Sequence, residues 1–357
     1  MFETFGFEDT TAREVSVLFA LGLGLLFGLL AQITRFCFRR AIVGDDRKQA
    51  AGVWFMALAL AVMGTQAAAH VGWISFDSHR LMSSDLPVLV ILAGGLLFGG
   101  GMVLTRGCIS RLTVLSGAGN LRALTCVVVF AIAAHATLKG VLAPLAATLR
   151  QTTVDLGGTV SLAALPGGAL VWSAILVALA IFIAVRSGAR PALLLGAGLI
   201  GALVPLGWVG TGFILFDEFD PIAMESLSFT RPSADALFYT IASTSIPAGF
   251  GSALIGGVLI GGLVAALLTR QFRWQSFDSP RQTGRYLAGA SLMGVGGVLA
   301  GGCTVGAGLA GIPTLSFAAF LALAAIAAGG WGTAKLLNAA FDGSDGSPAR
   351  PDLQPAE

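Results

Sequence analysis

The chain has four cysteines, and two of them close the same frame. LLFGLLAQITRFC ends at Cys37 and LLFGGGMVLTRGC ends at Cys108. Each frame reads Leu-Leu-Phe-Gly, five residues, Thr-Arg, one residue, Cys. A third stretch, GVGGVLAGGC, ends at Cys303 with Gly294 nine residues upstream, the place that Gly28 and Gly99 hold in the first two. Cysteine is a soft, polarizable group with a weak S–H donor, so thiols repeated in this way suit a partner that itself carries sulfur. Arg35 and Arg106 stand two residues before their cysteines, and Arg111 follows Cys108 closely. Charge neutralisation and thiol contact are thus offered side by side, and the chemistry predicted is passage of a sulfur-bearing anion past a series of thiols.

The segments after these cysteines do not leave an apolar environment cleanly. ISRLTVLSGAGNLRAL follows Cys108, and the glycine-rich TVGAGLAGIP follows Cys303. They read as re-entrant turns with short helices, tolerated at membrane depth only where protein or a water-filled cavity satisfies the backbone. Half-helix N-termini and open glycine amides attract anions. Gly107 and Gly302, each one residue before its cysteine, are expected to shape these turns, and Asn120 in GAGN to cap a helix beginning at Leu121. Cys126, in TCVVVF, lacks the frame and is expected to be structural. No C-x-x-C pair is present, which weakens the alternative of a membrane thiol–disulfide oxidoreductase; a sulfur-sensing or scaffold subunit is the third possibility.

The elements that position these residues follow from composition. The 357 residues are 55% hydrophobic and 11% charged, with a mean hydropathy of +0.85. Globular domains carry about a quarter charged residues, whereas ~20 apolar residues in a row span a bilayer as a helix. Nine spans are predicted: Val15–Ile33, Ala50–Ala69, Leu86–Leu104, Leu121–Leu138, Ala169–Val185, Pro191–Val209, Gly249–Thr269, Tyr286–Leu299 and Leu315–Trp331. The class is therefore an all-α integral membrane protein with short re-entrant helices. The odd-numbered connections carry fourteen Lys and Arg against four (Arg80, Lys139, Arg150, Arg231) in the even-numbered ones. By the positive-inside rule the N-terminus lies outside, in the periplasm of a bacterial inner membrane, and the C-terminus in the cytoplasm.

Under this topology the frames of Cys37 and Cys108 run inward and that of Cys303 runs outward. Spans one to four and six to nine then form an inverted repeat, an architecture that builds midplane sites in secondary transporters. A single membrane domain over 1–340 is expected, with one half over about 15–140, a connector helix over about 169–186, a second half over about 191–337, and a polar, disordered tail over 341–357.

The long connection from Gly210 to Ala248 invites a partial re-entry that answers the Cys37 segment, and Arg231 is its one basic residue. Arg231 is a candidate for collecting an anion at the outer mouth, or for an ion pair with Glu225 or Asp235. Asp217, Glu218 and Asp220 read as an exposed acidic loop. His70, His79 and His135 have no metal-ligand spacing, so no metal or other cofactor is expected. The net charge of +2 and the missing phosphate-loop signature argue against nucleic acid and ATP as partners.

RFCFRRA, TRGCISRL with SGAGNLRAL, GGCTVGAGLAG and PLGW together resemble the signature stretches of the YeeE/YedE family of thiosulfate transporters, over essentially the whole chain apart from its tail. The resemblance implies a nine-span inverted-repeat bundle with an hourglass profile. It also implies that Cys37, Cys108 and Cys303 contact thiosulfate through transient S–H···S hydrogen bonds. Some members of the family serve selenium or sulfur-oxidation chemistry, and some work beside a small TusA-like sulfur carrier, which here would be a separate protein.

Overall fold

The computed structural model describes residues 11–217 and 220–342; Glu218 and the expected polar tail from residue 343 onward fall outside the described residues. In chain order the helices are α1 (Ala12–Thr34), α2 (Phe38–Val43), α3 (Arg47–His70), α4 (Val88–Leu104), α5 (Ile109–Gly117), α6 (Leu121–Leu138), α7 (Ala143–Arg150), α8 (Gly168–Arg186), α9 (Pro191–Val209), α10 (Thr230–Ala242), α11 (Phe250–Leu268), α12 (Pro280–Leu299) and α13 (Phe317–Asp342). Two-residue strands β1 (Asp85–Leu86) and β2 (Val154–Asp155) pair antiparallel. Among the described residues nine helices are long and apolar enough to cross a membrane. The chain is a multi-pass, all-α membrane protein.

Local chemistry sets where the spans begin. Thr11 accepts from the Glu14 amide (3.2 Å) while the Glu14 carboxylate accepts from the Thr11 amide (3.0 Å), a reciprocal cap at the head of α1. Asn120 Oδ1 accepts from the Ala123 amide (3.0 Å), so α6 starts at Leu121 as expected. α12 starts at Pro280 rather than Tyr286, because Ser279 caps it (3.3 Å from the Gln282 amide) and proline fits the first helical turn. The stretch from Gly210 to Ala248 holds a π-helical turn (Gly210–Ile214) and α10.

Hydrophobicity cannot drive one helix against another in lipid, so the spans associate by close packing at small residues. α4 and α12 form the central antiparallel pair. A Cβ placed on Gly296 would sit 2.6 Å from the Gly94 carbonyl oxygen, and one on Gly289 would sit 2.9 Å from the Gly101 oxygen. Gly94 and Gly289 lie fourteen residues before Cys108 and Cys303, and Gly101 and Gly296 lie seven before them. Each contact is therefore the image of the other under an exchange of the two frames. The outer packing follows the same exchange: α1 lies parallel to α11 as α9 does to α3, and α4 to α13 as α12 does to α6. The short helices obey it too, α2 touching α3 and α13 as α10 touches α11 and α6. α8 has no such counterpart. It leans on α3 and presents Leu170, Ile175, Phe182 and Val185 outward, as a lipid-facing helix would.

Gly101→Ala and Gly296→Ala are expected to destabilise the protein by roughly 1–3 kcal/mol each through overpacking. Gly22→Ala and Gly332→Ala, where an added Cβ meets nothing within 4 Å, should be neutral. Thermal unfolding in detergent checks this; equal midpoints for all four would show that the glycine contacts do not hold the bundle.

Candidate functional site

The repeated Thr-Arg-x-Cys frame proves to be a span-ending device. Thr34 and Thr105 bond back to carbonyls four residues earlier, Leu30 (2.7 Å) and Gly101 (2.9 Å). The next residue turns into the left-handed region, Arg35 at φ 52° and Arg106 at φ 60°. Gly301 does the same at φ 78° two residues before Cys303. Each cysteine then sits in extended backbone at the N-cap of a short helical segment: Cys37 before α2, Cys108 before α5, and Cys303 before a π-helical turn (Thr304–Leu309). The device stops a span inside the protein and delivers a thiol at the stop.

All four cysteines are buried and none is in a disulfide. The sulfurs of Cys37 and Cys108, 71 residues apart in sequence, approach to 3.8 Å, and the Cys108 sulfur lies 3.2 Å from Ser110 Oγ. Cys303 Sγ accepts from the Gly306 amide at 3.3 Å. Cys126 stands apart from this pair, donating toward the Tyr286 carbonyl at 3.8 Å.

Cys37 lines a cavity of about 410 Å³ whose wall includes Arg35, Arg40, Arg106, Arg111, Arg270 and Arg273, with Asp45 and Asp46 as its acids. Arg40 pairs with Asp46. Arg111 is buried and donates to the Ala31 carbonyl (3.2 Å) and to Gln32 Oε1 (3.1 Å), tying the helix after Cys108 to the end of α1. Arg39 is fully buried beside Cys37. Asn120 adds to the same wall, and its Nδ2 donates to Gln275 at 2.6 Å.

At the opposite end of the bundle, among the even-numbered connections, two adjoining cavities of about 310 and 290 Å³ share Arg80, Ser228 and Arg231. Gly306 opens onto the first and Gly302 onto the second, so Cys303 lies beneath both. A Cβ on Gly302 would stand 2.8 Å from the Ala307 amide nitrogen; glycine there lets the turn close. Lys139 and Arg150 also line the second cavity. All four basic residues of the even-numbered connections thus converge on one mouth, a gathering the sequence reading reached only for Arg231. Arg231 does pair with Asp235 (3.5 Å), but both are well exposed, so the pair contributes little. Glu225 lines the first cavity, and burial raises its carboxyl pKa against the opposing pull of Arg231.

His79, in the same mouth, accepts from the Leu81 amide at 3.3 Å and meets Trp208 edge-on. Burial and then Arg80 hold its pKa down to about 4. His135 stacks on Phe238 with ring centroids 4.6 Å apart and lines the second of these cavities. Arg270 and Arg273, after α11, complete the wall of the Cys37 cavity, a place the sequence did not give them. The missed signal was Thr269–Arg270, a Thr-Arg pair that ends a span as Thr34–Arg35 and Thr105–Arg106 do but without a cysteine.

A family model described as sulphur transport matches residues 33–332. The thiosulfate transporter TsuA of Escherichia coli (strain K12) is 25% identical over 348 residues, covering 88% of this chain and 93% of that protein. The thiosulfate transporter TsuA of Spirochaeta thermophila is 26% identical over 345 residues, covering 88% and 97% respectively.

Two outcomes follow from this geometry. Mild oxidation with diamide should join Cys37 to Cys108, since their sulfurs need close by only about 2 Å to bond, and should leave Cys126 free; peptide mapping that finds any other pair would contradict the arrangement. Because His79 has a depressed pKa, the unfolded chain binds its proton first on acidification. Stability should therefore fall as pH drops from about 6.5 toward 4. His79→Gln should flatten that part of the unfolding profile and leave the rest.

Proposed function

Because the chain belongs to the sulphur transport family, we propose that it imports thiosulfate, or a closely related sulfur anion, across the bacterial inner membrane past three reduced thiols. The observation that carries this reading is the placement of the thiols between two basic cavities. Cys303 lies under the outer pair of cavities, while Cys37 and Cys108 meet at the floor of the inner one. The two relatives named thiosulfate transporters support the cargo.

The chemistry divides between the two ends of such an ion. Arginine forks suit the charged oxyanion end through charge-assisted hydrogen bonds. Thiols suit the terminal sulfur, because an S–H donor is weak and polarizable and releases its partner easily. Conduction needs sites that are favourable to enter and weak enough to leave. Arg80, Lys139, Arg150 and Arg231 then gather the anion outside, and Arg35, Arg106 and Arg111 receive it inside. The bias of Lys and Arg toward the odd-numbered connections supports a periplasmic N-terminus and a cytoplasmic C-terminus. The two halves, 15–140 and 191–337, act as inverted repeats around the α4–α12 pair, joined through the connector α8. Gly107 and Gly302 shape the turns that present the thiols. A separate TusA-like carrier is a fitting cytoplasmic acceptor, and a selenium compound is the alternative cargo.

Radiolabelled thiosulfate uptake, in cells without their own sulfate and thiosulfate importers, tests the reading. Wild type should take up thiosulfate. Cys37→Ala, Cys108→Ala and Cys303→Ala should each lower uptake by roughly tenfold or more, a factor that corresponds to about 1.4 kcal/mol, while Cys126→Ala stays near wild type. Uptake untouched by the first three changes would sink the thiol path and keep transport; no uptake by an inserted wild type would sink the cargo.

A further inference from the structure

Among the described residues four that are not glycine adopt positive φ: Arg35 (52°), Arg106 (60°), Arg270 (56°) and Leu315 (62°). Three of the four are arginines, and all three line the same inner cavity. Left-handed backbone is the habit of glycine, because a Cβ crowds the carbonyl there. The corresponding position before Cys303 uses glycine, Gly301 at φ 78°. The fold therefore accepts glycine in this turn, yet at three span ends around one cavity an arginine stands in its place.

The third of these arginines has no cysteine to serve. Thr269 Oγ1 bonds back to the Ala265 carbonyl at 2.7 Å, as Thr34 does to Leu30 and Thr105 to Gly101. The Gln271 amide then reaches the Ala266 carbonyl (2.8 Å), as the Phe36 amide reaches that of Ala31 (3.1 Å). This is the helix-ending hydrogen bond that ordinarily accompanies a glycine. α1 and α11 run parallel and stop at the same level, joined by Gln32 Nε2 donating to Gln271 Oε1 at 3.4 Å. Gln32 also accepts from the buried Arg111. The Thr-Arg turn is thus a device separate from the thiol, used three times to stand an arginine at one rim. Strained backbone kept where glycine would serve marks a functional constraint.

We infer that Arg35, Arg106 and Arg270 form an oxyanion-binding station at the inner end of the path. It takes the oxygen-bearing end of a divalent sulfur oxyanion after that ion has left the thiols. The inference rests on the transport reading above and adds to it a site that contains no sulfur and draws Arg270 from the second half of the chain. Arginine is the suitable side chain, since its planar fork stays charged and meets two oxyanion oxygens at once. Such a station recognises oxygens rather than the terminal sulfur, so sulfate occupies it as thiosulfate does.

The test sets stability against function in the full-length protein. Arg270→Gly, and in parallel Arg35→Gly, should unfold at the same temperature as wild type or higher, because the left-handed strain is relieved. The same variants should lose thiosulfate uptake by roughly tenfold, as expected when a charge-assisted contact is removed. Arg270→Lys should retain part of it. Arg190→Gln, an exposed arginine at the head of α9 with ordinary backbone, controls for simple loss of charge on that side and should transport as wild type. Calorimetric titration of purified wild type with sodium thiosulfate and with sodium sulfate should show binding of both, weakened in Arg270→Gly. A stable Arg270→Gly that transports and binds like wild type overturns the station, as does an Arg190→Gln as impaired as Arg270→Gly. If wild type takes up no thiosulfate, the transport reading fails by itself. The titration then decides: weaker binding in Arg270→Gly upholds the station, and no binding of either ion by wild type removes it.

Discussion

The close antiparallel contact of α4 and α12 is the constraint on which the rest of the molecule depends. Gly94 meets Gly296 and Gly101 meets Gly289 at backbone distance, so the two central spans have almost no freedom to slide or rotate. Lipid supplies no hydrophobic drive for this pairing; dispersion and backbone proximity supply it, and both vanish within a fraction of an ångström. Because the glycines sit at the same distances before Cys108 and Cys303, fixing this contact also fixes where the two thiols emerge, one toward each end of the bundle. The parallel pairs α1–α11 and α3–α9 then close around that axis.

A second constraint follows from stopping helices inside the protein. A span that ends in an apolar surround leaves carbonyls and amides that must find partners. Here the threonine of the frame and the left-handed residue after it occupy the last carbonyls, while the cysteine begins the next short helix. For Cys303 the sulfur itself accepts an amide, that of Gly306. Thiols are tolerable at such points because an S–H group is cheaper to bury than a hydroxyl or a charge. The buried arginines are the costly elements. Arg111 is kept by specific acceptors, the Ala31 carbonyl and Gln32, which also couple the frames of Cys37 and Cys108 mechanically.

Electrostatics divides the molecule lengthwise. Both mouths are rich in arginine, whereas the buried core between them holds the cysteines and apolar side chains such as Phe27, Phe98 and Met102. Clefts lined by one sign of charge focus field lines and raise the local concentration of counter-ions, and both mouths have that form. The mouth beside Cys37 is the richer in arginine and the more highly built, with the ends of α1, α4 and α11 each contributing one from a left-handed turn.

Much of this was legible in the sequence, for a physical reason: a bilayer imposes a length and a polarity that apolar runs must match. The nine spans and the cap at Asn120 follow from runs and spacing, and the shared frame is what singled out Cys37, Cys108 and Cys303. The reading of Gly210 to Ala248 as more than a loop rested on the same reasoning. Tertiary structure alone decided which thiols meet. The nearest cysteines along the chain are Cys108 and Cys126, yet it is Cys37 that lies against Cys108, because α2 and α5 fold back into the same crevice from different spans. Convergence of Arg80, Lys139 and Arg150 with Arg231 was equally invisible, since each comes from a connection with no local pattern. Arg270 escaped because its Thr-Arg pair lacks a cysteine to mark it. Spacing along one helix reports what a single element presents; which elements share a cavity depends on backbone approaches set by glycines far away in the chain.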